Sequence, residues 1–340
     1  MPEKIPEKMT AVQLDAVGQP LSVRDIPVPK PAKGEVLVKM TASPINPSDL
    51  AFLVGGYTFK TGLPVTPGNE GSGVVLASGG GFMAGRLIGK RVACFAREGM
   101  GGAWADYMVT DASFCVPIGN NIDLEQASMA LINPLTALAF INIAKKGKHP
   151  AFLNTAAASA LGQMLIKLAN RHGIPLINVV RKESQVELLK SKGAIHVLNS
   201  SDRRFIKNLN ELSHTLHARL FFDAVGGPLL GQLLMAAPHG TTILSYGRLS
   251  SEPCTIEPGA LILHRKNING FFLRDWMKSR NLIQVLRDIR KVKSLLKSDM
   301  HTDIKMRSSL SQVNEALETY KSEMTGGKIL LMPALSAFRI

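Results

Sequence analysis

The alternation of short apolar runs with helical stretches after residue 150 constrains the fold of this chain more than any other feature. The apolar runs span residues 151–153, 174–180, 194–198, 220–225 and 241–246. Helical stretches at 161–172 and 184–192 separate the first three runs, and a glycine follows each of these helices. Strand, helix and strand at this spacing predict a doubly wound parallel sheet covered by helices, an α/β fold.

The first strand-to-helix turn of this sheet falls on residues 154–162, Asn-Thr-Ala-Ala-Ala-Ser-Ala-Leu-Gly. In a dinucleotide-binding fold, this turn brings backbone N–H groups and a helix N-terminus against the pyrophosphate, so its side chains must be small. Alanines stand where glycines are usual, and Gly162 is the glycine that remains. The alternative interpretation is an ordinary turn with small side chains.

The end of the second strand carries two cations, Arg181 and Lys182. Folds selective for NAD place an acidic residue here to bind the ribose 2′-hydroxyl. A cationic pair suits a 2′-phosphate by charge and, for arginine, by bidentate geometry. We therefore predict that the cofactor is NADPH, against the alternative of two surface cations at a strand end.

The segment before this sheet differs in character, since residues 10–125 contain short alternating runs separated by turn residues. This pattern predicts a β-rich domain with long loops. A length of 340 residues and a hydrophobic content of 45% suit two domains with substantial cores. The remaining piece after Gly270 is too short for a core of its own, so we expect it to return to the first domain.

Composition also indicates which partners the protein can bind and which redox compartment it occupies. The 40 Lys and Arg against 26 Asp and Glu give a net charge of +14, and the cations become denser after residue 264 among apolar residues. That stretch predicts an amphipathic helix with a solvated basic face, with polyanion binding as the alternative. Three widely spaced cysteines give no disulfide framework and indicate a reducing compartment.

No targeting or membrane segment is expected from the sequence. The first ten residues contain two prolines and no apolar core, unlike a signal peptide. The uncharged segment 126–144 has Asn133-Pro134 in its middle, which favours a buried helix over a membrane span. We predict a cytoplasmic protein that has no membrane contact.

Five separated sequence blocks then carry a resemblance across nearly the whole chain. They are Ile-Asn-Pro-Ser-Asp at 45–49, Gly-Tyr at 56–57 leading to Pro-Gly-Asn-Glu-Gly at 67–71, Gly-Lys-Arg-Val-Ala at 89–93, Asn-Pro-Leu-Thr-Ala at 133–137, and Ser-Tyr-Gly at 245–247. Their order and spacing resemble the medium-chain dehydrogenase/reductase superfamily, in its zinc-free quinone oxidoreductase and trans-2-enoyl thioester reductase branch. The Gly-Asn-Glu-Gly block and the run Gly-Phe-Phe-Leu-Arg-Asp-Trp at 270–276 look most like the enoyl thioester reductases of mitochondrial type.

This resemblance implies a fold and a domain division. We expect a GroES-like β-rich catalytic domain at 1–125 and 268–340, and a Rossmann NADPH-binding domain with a doubly wound parallel sheet at 126–267. Zinc-dependent members carry Cys in the loop at 43–46 and His at position 69, where this chain has Ser-Pro-Ile-Asn and Asn69. Because amides and hydroxyls are poor substitutes for thiolate and imidazole on zinc, no metal is expected.

The resemblance also implies site residues. Tyr57 matches the tyrosine that donates a proton to the substrate or positions it, with a loop tyrosine as the alternative. The implied cofactor-binding residues are Asn46, Asn133, Thr136, Ala158, Ser159, Ala160, Leu161, Arg181, Lys182, Tyr246, Gly247, Arg248, Leu249, Phe271, Phe272, Leu273 and Lys328. Two of them depart from the pattern, because Ala160 and Arg248 stand where glycine is usual; Ala160 could crowd the pyrophosphate.

The function these expectations describe is a zinc-independent, NADPH-dependent oxidoreductase. It would transfer hydride to an activated double bond, that of a trans-2-enoyl thioester or a related α,β-unsaturated carbonyl. An NADPH:quinone oxidoreductase is the alternative in the same fold, and a nucleic-acid-binding protein without enzymatic activity is the alternative of another class. The expected partners are a small-molecule substrate, such as a CoA or carrier-protein thioester, and a second copy in a homodimer.

Overall fold

The computed structural model describes residues 4–56, 62–97, 102–296 and 301–333. It divides into two compact units, Met1–Ile132 with Ile289–Ile340, and Asn133–Asp288. The strands are β1 (Lys8–Gln13), β2 (Ser22–Pro27), β3 (Glu35–Pro44), β4 (Glu70–Ser78), β5 (Arg91–Phe95), β6 (Tyr107–Asp111), β7 (Cys115–Pro117), β8 (Phe152–Asn154), β9 (Leu176–Val180), β10 (His196–Asn199), β11 (Leu220–Asp223), β12 (Thr242–Ser245), β13 (Asn267–Gly270), β14 (Ile304–Ser308) and β15 (Lys328–Leu331). The helices are α1 (Pro47–Leu53), α2 (Phe82–Gly85), α3 (Leu124–Ser128), α4 (Ile132–Lys146), α5 (Ala160–Arg171), α6 (Glu183–Ser191), α7 (Phe205–Thr215), α8 (Gly227–Ala236), α9 (Pro258–Ile262), α10 (Leu273–Lys278), α11 (Leu282–Leu296) and α12 (Val313–Ser322).

The first unit is built on a seven-stranded sheet in the order β14-β15-β3-β4-β5-β7, with β6 paired to β3. Its pairings are antiparallel except for the parallel pair β14 and β15. The hairpin of β1 and β2 forms a separate two-stranded sheet. Strand β3 is covered on both faces, since Val36, Val38 and Met40 pack in one apolar cluster and Leu37 packs in another. The β-rich character predicted for this region is confirmed.

The second unit contains a six-stranded sheet in the order β10-β9-β8-β11-β12-β13, and every pairing in it is parallel. Counted from β8, this is the strand order 3-2-1-4-5-6 of doubly wound dinucleotide-binding sheets. The buried residues of β9 and β11 explain why these strands are continuous apolar runs rather than alternating ones. The parallel α/β sheet expected from the sequence is confirmed.

The predicted domain boundaries, at residues 125/126 and 267/268, stay a prediction. The two compact units of the structure divide the chain elsewhere, after Ile132 and after Asp288. Strand β13 pairs with β12, so Asn267–Gly270 extends the parallel sheet instead of returning to the first unit. Helix α10 and the segment up to Asp288 follow it within the second unit. Strand β13 was not predicted from the sequence because Asn-Ile-Asn-Gly holds a single large apolar residue.

Helix ends in the second unit fall where the sequence placed them. Gly173 and Gly193 follow α5 and α6 with φ of 63° and 86°, the left-handed conformation that glycine adopts without a steric penalty. The uncharged segment around Asn133-Pro134 forms most of α4, and its side chains are buried. Within the described part of the chain, no helix is both long and apolar enough to cross a membrane.

Candidate functional site

The carboxyl ends of β8 and β11 form the centre of the second unit's candidate site. These strands are neighbours on either side of the point where strand order reverses, which is where ligands bind in open parallel sheets. Thr155 Oγ1 donates to Asp223 Oδ1 at 2.7 Å and accepts from Ala224 N at 2.8 Å. Asp223 also accepts from the N–H groups of Val225 and Gly226, at 3.1 and 2.8 Å. This network fixes the loop after β11 against the turn after β8.

The turn from β8 to α5 is held in a tight backbone conformation. Ala156 has a φ of 48°, a left-handed conformation rare for alanine. Ser159 is the N-cap of α5, and its side chain accepts from Gly162 N at 3.2 Å. A Cβ at Gly162 would lie 2.2 Å from Ala157 O, so the close approach of helix and turn requires glycine there.

All four residues predicted to cradle the pyrophosphate lie in this turn or at the first residues of α5. Ala158 and Leu161 are buried, whereas Ser159 and Ala160 are partly exposed. The small side chains and the N-terminus of a twelve-residue helix suit a pyrophosphate group. Ala160 is the first residue of α5 and has an ordinary negative φ among the described residues, so its backbone does not require glycine.

A buried polar pair lies beside the turn. Tyr246 Oη donates to Asn154 Oδ1 at 3.0 Å, and Asn154 Nδ2 has no hydrogen-bond partner among the described residues. Burial raises the pKa of Tyr246 well above its ordinary value, and the nearby Asp223 carboxylate acts in the same direction. The phenol is therefore a permanent hydrogen-bond donor at neutral pH, and the fully buried Asn154 amide keeps a donor that no described residue satisfies.

The loop after β12 carries the predicted run Tyr246, Gly247, Arg248 and Leu249. Its backbone is tied to the loop after β11, since Tyr246 N donates to Asp223 O at 2.8 Å and Leu249 N donates to Ala224 O at 3.1 Å. Arg248 and Leu249 are exposed, whereas Tyr246 and Gly247 are half-buried. The structure brings this run to the same edge of the sheet as the turn after β8.

The residues predicted after β13 are only partly at this edge. Phe271 N donates to Ser245 O at 2.8 Å, and the Phe271 ring packs edge-on against Phe140 at 5.0 Å between centroids. Phe272 is exposed and Leu273 begins α10. Asn133 and Thr136 are both buried in the first two turns of α4.

Two pairs of cations follow the carboxyl ends of the neighbouring strands β9 and β10. Arg181 and Lys182 follow β9, are exposed, and form no ion pair with any described residue. Ser201 Oγ donates to Arg181 O at 3.0 Å, which ties the loop after β10 to them. That loop continues into exposed Arg203 and Arg204, which the sequence analysis did not select. Their signal was available, as a second basic pair that follows the third predicted strand after four intervening residues.

The first unit contains a buried hydrogen-bonded cluster around Asn46. Lys328 Nζ donates to Asn46 Oδ1 and, at 3.2 Å, to Ile45 O. Asn46 Nδ2 donates to Glu70 Oε1 at 3.1 Å, and Glu70 Oε2 accepts from the N–H groups of Leu131 and Ile132 at 3.2 and 3.0 Å. Asn46, Glu70 and Lys328 are each at most 4% exposed. The amide of Asn46 is therefore fixed in orientation, and its second N–H donates to no residue within the described ranges.

A second buried carboxylate, Asp49, extends this cluster. It accepts from Asn46 N at 2.7 Å and from Asn69 N and Nδ2 at 3.0 and 2.6 Å. Burial raises the pKa of Asp49 to about 7 and also raises that of Glu70, while the Lys328 ammonium lowers both. Burial lowers the pKa of Lys328, and the two carboxylates oppose that shift. Two buried acids thus share one buried cation.

These residues do not fit a zinc ion. The positions that the resemblance compares with zinc ligands carry Ser43, Asn46 and Asn69, and Asn46 Oδ1 already accepts from an ammonium group. A second cation beside that ammonium would be repelled. Ser43 Oγ donates to Glu70 O at 2.6 Å, so the hydroxyl is also engaged. Across the described ranges, no group of three or more His, Cys, Asp or Glu side chains is placed to hold a metal ion.

One predicted residue lies outside this description, because Tyr57 falls in the interval 57–61 that separates two described ranges. The sequence analysis also missed Asn154, Thr155 and Asp223. Each is a polar residue at or after the end of an apolar strand, which is the signal that could have identified them.

Comparison with known protein families agrees with both units. Residues 160–288 match the family described as zinc-binding dehydrogenase, and residues 32–120 match the alcohol dehydrogenase GroES-like domain. These matches support the predicted fold class, a GroES-like domain together with a Rossmann-like parallel sheet.

Individual relatives extend the comparison. The mitochondrial enoyl-[acyl-carrier-protein] reductase of Xenopus tropicalis is 31% identical over 80% of this chain and 81% of the relative. The crystal structure of a proposed NADPH:quinone reductase from Mesorhizobium loti is 32% identical with a TM-score of 0.89, covering 97% of this chain and 100% of that chain. A similar structure from Bacillus thuringiensis is 28% identical with a TM-score of 0.83, over 96% and 99% of the two chains.

Proposed function

The chain belongs to the medium-chain dehydrogenase/reductase superfamily, in the zinc-free branch of quinone oxidoreductases and enoyl thioester reductases, and from this membership we propose that it uses NADPH to reduce the conjugated double bond of a 2-enoyl thioester. It is an oxidoreductase, as its relatives are. The finer parts of this proposal are the cofactor's 2′-phosphate, the thioester acceptor, the residues that act and the absence of a metal.

The observation that carries the choice of cofactor is the cationic end of β9. Arg181 and Lys182 stand where a fold selective for NAD has an acidic residue, and their charges are not neutralised by any described carboxylate. An arginine binds a phosphate dianion through two parallel hydrogen bonds, which are strong because both partners are charged. NADPH carries this phosphate and NADH does not, so the site favours NADPH.

The remaining residues of the second unit suit the rest of the dinucleotide. The turn around Ser159 offers backbone N–H groups and the N-terminus of α5 to the pyrophosphate. Tyr246 and Asn154 lie at the adjacent strand ends, where the hydrogen bond between them holds the phenol in place. Within the turn, Ala157 N and Ser159 N already donate to Val179 O and Ala156 O, at 3.2 and 2.9 Å, so other N–H groups of the turn and of α5 would serve the pyrophosphate.

When bound, NADPH supplies the hydride that reduces the β-carbon of a conjugated acceptor. The electron pair of the double bond then moves to the carbonyl oxygen, and the α-carbon takes up a proton. The protein must stabilise that oxyanion with donors and deliver the proton. Glu70 and Lys328 hold the Asn46 amide in one orientation, and its second N–H, which bonds no described residue, would be a preorganised donor for such an oxygen or for the cofactor's carboxamide.

Two acceptor classes are supported by different relatives. The Xenopus relative is named an enoyl-[acyl-carrier-protein] reductase, whereas the Mesorhizobium structure is described as an NADPH:quinone reductase. The Gly-Asn-Glu-Gly block at 68–71 favours the thioester, since the resemblance to mitochondrial-type reductases rests on it. Quinone reduction is the second candidate function. The homodimer and the cytoplasmic location are also part of the proposal.

One experiment separates these candidates. NADPH oxidation is followed with a short trans-2-enoyl-CoA and with phenanthrenequinone, using wild type, Tyr57→Phe and the control Tyr107→Phe. We expect turnover of the thioester and a fall in kcat of about a hundredfold in Tyr57→Phe, because a general acid contributes about 10²–10⁴-fold. Tyr107 is a buried core phenol of the first unit, in the apolar cluster that contains Leu37, so the same chemical change there should leave kcat unchanged.

Turnover of the quinone alone, with no effect of Tyr57→Phe, would replace the proposal by the second candidate. Reduction of neither acceptor would contradict both. Reduction of the thioester with equal losses in both phenylalanine variants would retain the substrate and reject the role of Tyr57.

A further inference from the structure

Helix α11 presents one continuous outer face of unusual composition. Its exposed residues recur at the spacing of a single helical face and comprise Ile283, Leu286, Arg287, Arg290, Lys291 and Ser294. This set is called the α11 outer face below. Ile283 and Leu286 are 69% and 53% exposed. The face spans twelve residues, or about 17 Å, with an apolar N-terminal end and a basic continuation.

The charge of the α11 outer face is not balanced by its own helix. Asp288 is the one carboxylate of α11; it is 3% exposed, and Arg280 binds it through Nε at 3.1 Å and NH2 at 3.0 Å. Arg287, Arg290 and Lys291 form no ion pair with any residue in the described part of the chain. Three positive charges within little more than one turn therefore face outward together.

The position of this face is fixed by the rest of the helix. Asn281 and Gln284 cap the N-terminus reciprocally, with Gln284 N donating to Asn281 Oδ1 at 3.0 Å and Asn281 N donating to Gln284 Oε1 at 3.1 Å. Val292 and Leu295 are buried on the opposite side. The helix is thus a defined surface that needs no refolding to bind a partner.

We propose that the α11 outer face docks an acidic carrier protein that bears the enoyl thioester, which rests on the proposed function. Two exposed apolar side chains beside three cations match a partner surface with apolar residues next to carboxylates. A nucleic acid would leave Ile283 and Leu286 without contacts. A membrane surface would bury only these two apolar side chains, whereas amphipathic membrane helices bury a whole apolar face.

A docking surface of this kind predicts a difference between two forms of one substrate. The enoyl-CoA and the enoyl thioester of an acyl carrier protein present the same double bond, but only the second presents a protein surface to α11. Steering by the three cations should lower the KM for the protein-borne substrate, and added salt should remove the advantage. Activity with the CoA thioester therefore tests the proposed function. The ratio of kcat/KM for the carrier-protein thioester to kcat/KM for the CoA thioester tests the docking surface.

The test compares kcat/KM for both substrates in wild type and in the triple variant Arg287→Glu, Arg290→Glu, Lys291→Glu. The matched control is Lys30→Glu, Lys33→Glu, Lys90→Glu, which changes the net charge equally at exposed lysines of the first unit. A second variant, Ile283→Ser with Leu286→Ser, removes the apolar end. Binding of the acyl carrier protein to each variant is measured directly by calorimetry, and sedimentation with phosphatidylglycerol vesicles is measured in parallel.

We expect the α11 triple variant to lose about tenfold or more in kcat/KM for the carrier-protein substrate and to keep the wild-type value for enoyl-CoA. The serine variant should show the same selectivity, and the control should show neither effect. Equal losses for both substrates, equal losses in the control, or loss of vesicle binding with unchanged carrier-protein kinetics would overturn the docking proposal. If wild type reduces neither thioester, the proposed function fails, and absence of carrier-protein binding in the calorimeter would then reject the docking surface on its own.

Discussion

Replacement of Lys328 by methionine tests the buried cluster of the first unit. The side chains are similar in length, so the change removes a charge and its hydrogen bonds more than volume. It leaves Glu70 and Asp49 buried with no cation beside them. Removing one partner from a buried charged pair costs about 3–5 kcal/mol. With about 2–4 °C per kcal/mol for a domain of this size, the first unit should melt about 6–20 °C lower.

The size of this loss should depend on pH. Asp49 has a folded-state pKa of about 7 against an ordinary value of 3.8. Between these values the folded state holds a proton that the unfolded state has released, so stability falls as pH rises through this window. Lys328 lowers the pKa of both carboxyls, and without it their folded-state pKa values rise further. The pH range over which stability falls then extends to higher pH. The loss of stability of Lys328→Met relative to wild type should therefore be larger at pH 8 than at pH 5.

The assay is thermal unfolding by calorimetry at pH 5 and pH 8 for wild type, Lys328→Met and Lys328→Arg. The arginine variant keeps the charge and should recover part of the loss, although its larger group must fit a buried site. A methionine variant as stable as wild type at pH 8 would refute the account of this cluster. So would a deficit of the same size at both pH values, since that would indicate lost packing rather than lost charge.

Three further predictions concern the second unit. Arg181→Ala should weaken NADPH binding by about 10- to 100-fold, because charged hydrogen bonds contribute about 1.5–3 kcal/mol, and should leave NADH binding unchanged. Fluorescence titration with both nucleotides measures this, and equal losses would contradict a 2′-phosphate contact. Tyr246→Phe leaves the Asn154 amide buried without its partner and should lower the free energy of unfolding by about 1–3 kcal/mol; an unchanged urea midpoint would contradict this. Gly162→Ala places a Cβ 2.2 Å from Ala157 O and should cost about 1–3 kcal/mol by overpacking. Thermal melting checks it, and a variant with wild-type stability would show that the turn is less tightly packed than described.

The sequence determined the local elements of the second unit. Apolar runs and the glycines at 173 and 193 predicted strands β8 to β12 and the ends of α5 and α6, since periodicity and left-handed conformations are properties of short segments. The sequence also predicted the small-residue turn at 154–162 and the cationic end of β9, because each of these features consists of neighbouring residues. Blocks spread along the chain carried the resemblance that gave the superfamily.

The tertiary structure decided which distant residues meet. Lys328 and Asn46 are separated by 282 positions, yet the ammonium donates to the amide oxygen. The pairing of β15 with β3 brings them together, and no local pattern encodes that register. The parallel pairing of β13 with β12 and the burial of Asp288 against Arg280 are likewise set by tertiary packing. Propensity and periodicity act over a few residues, whereas strand pairing and burial of charge depend on the packing of the whole unit, so only the fold could supply them.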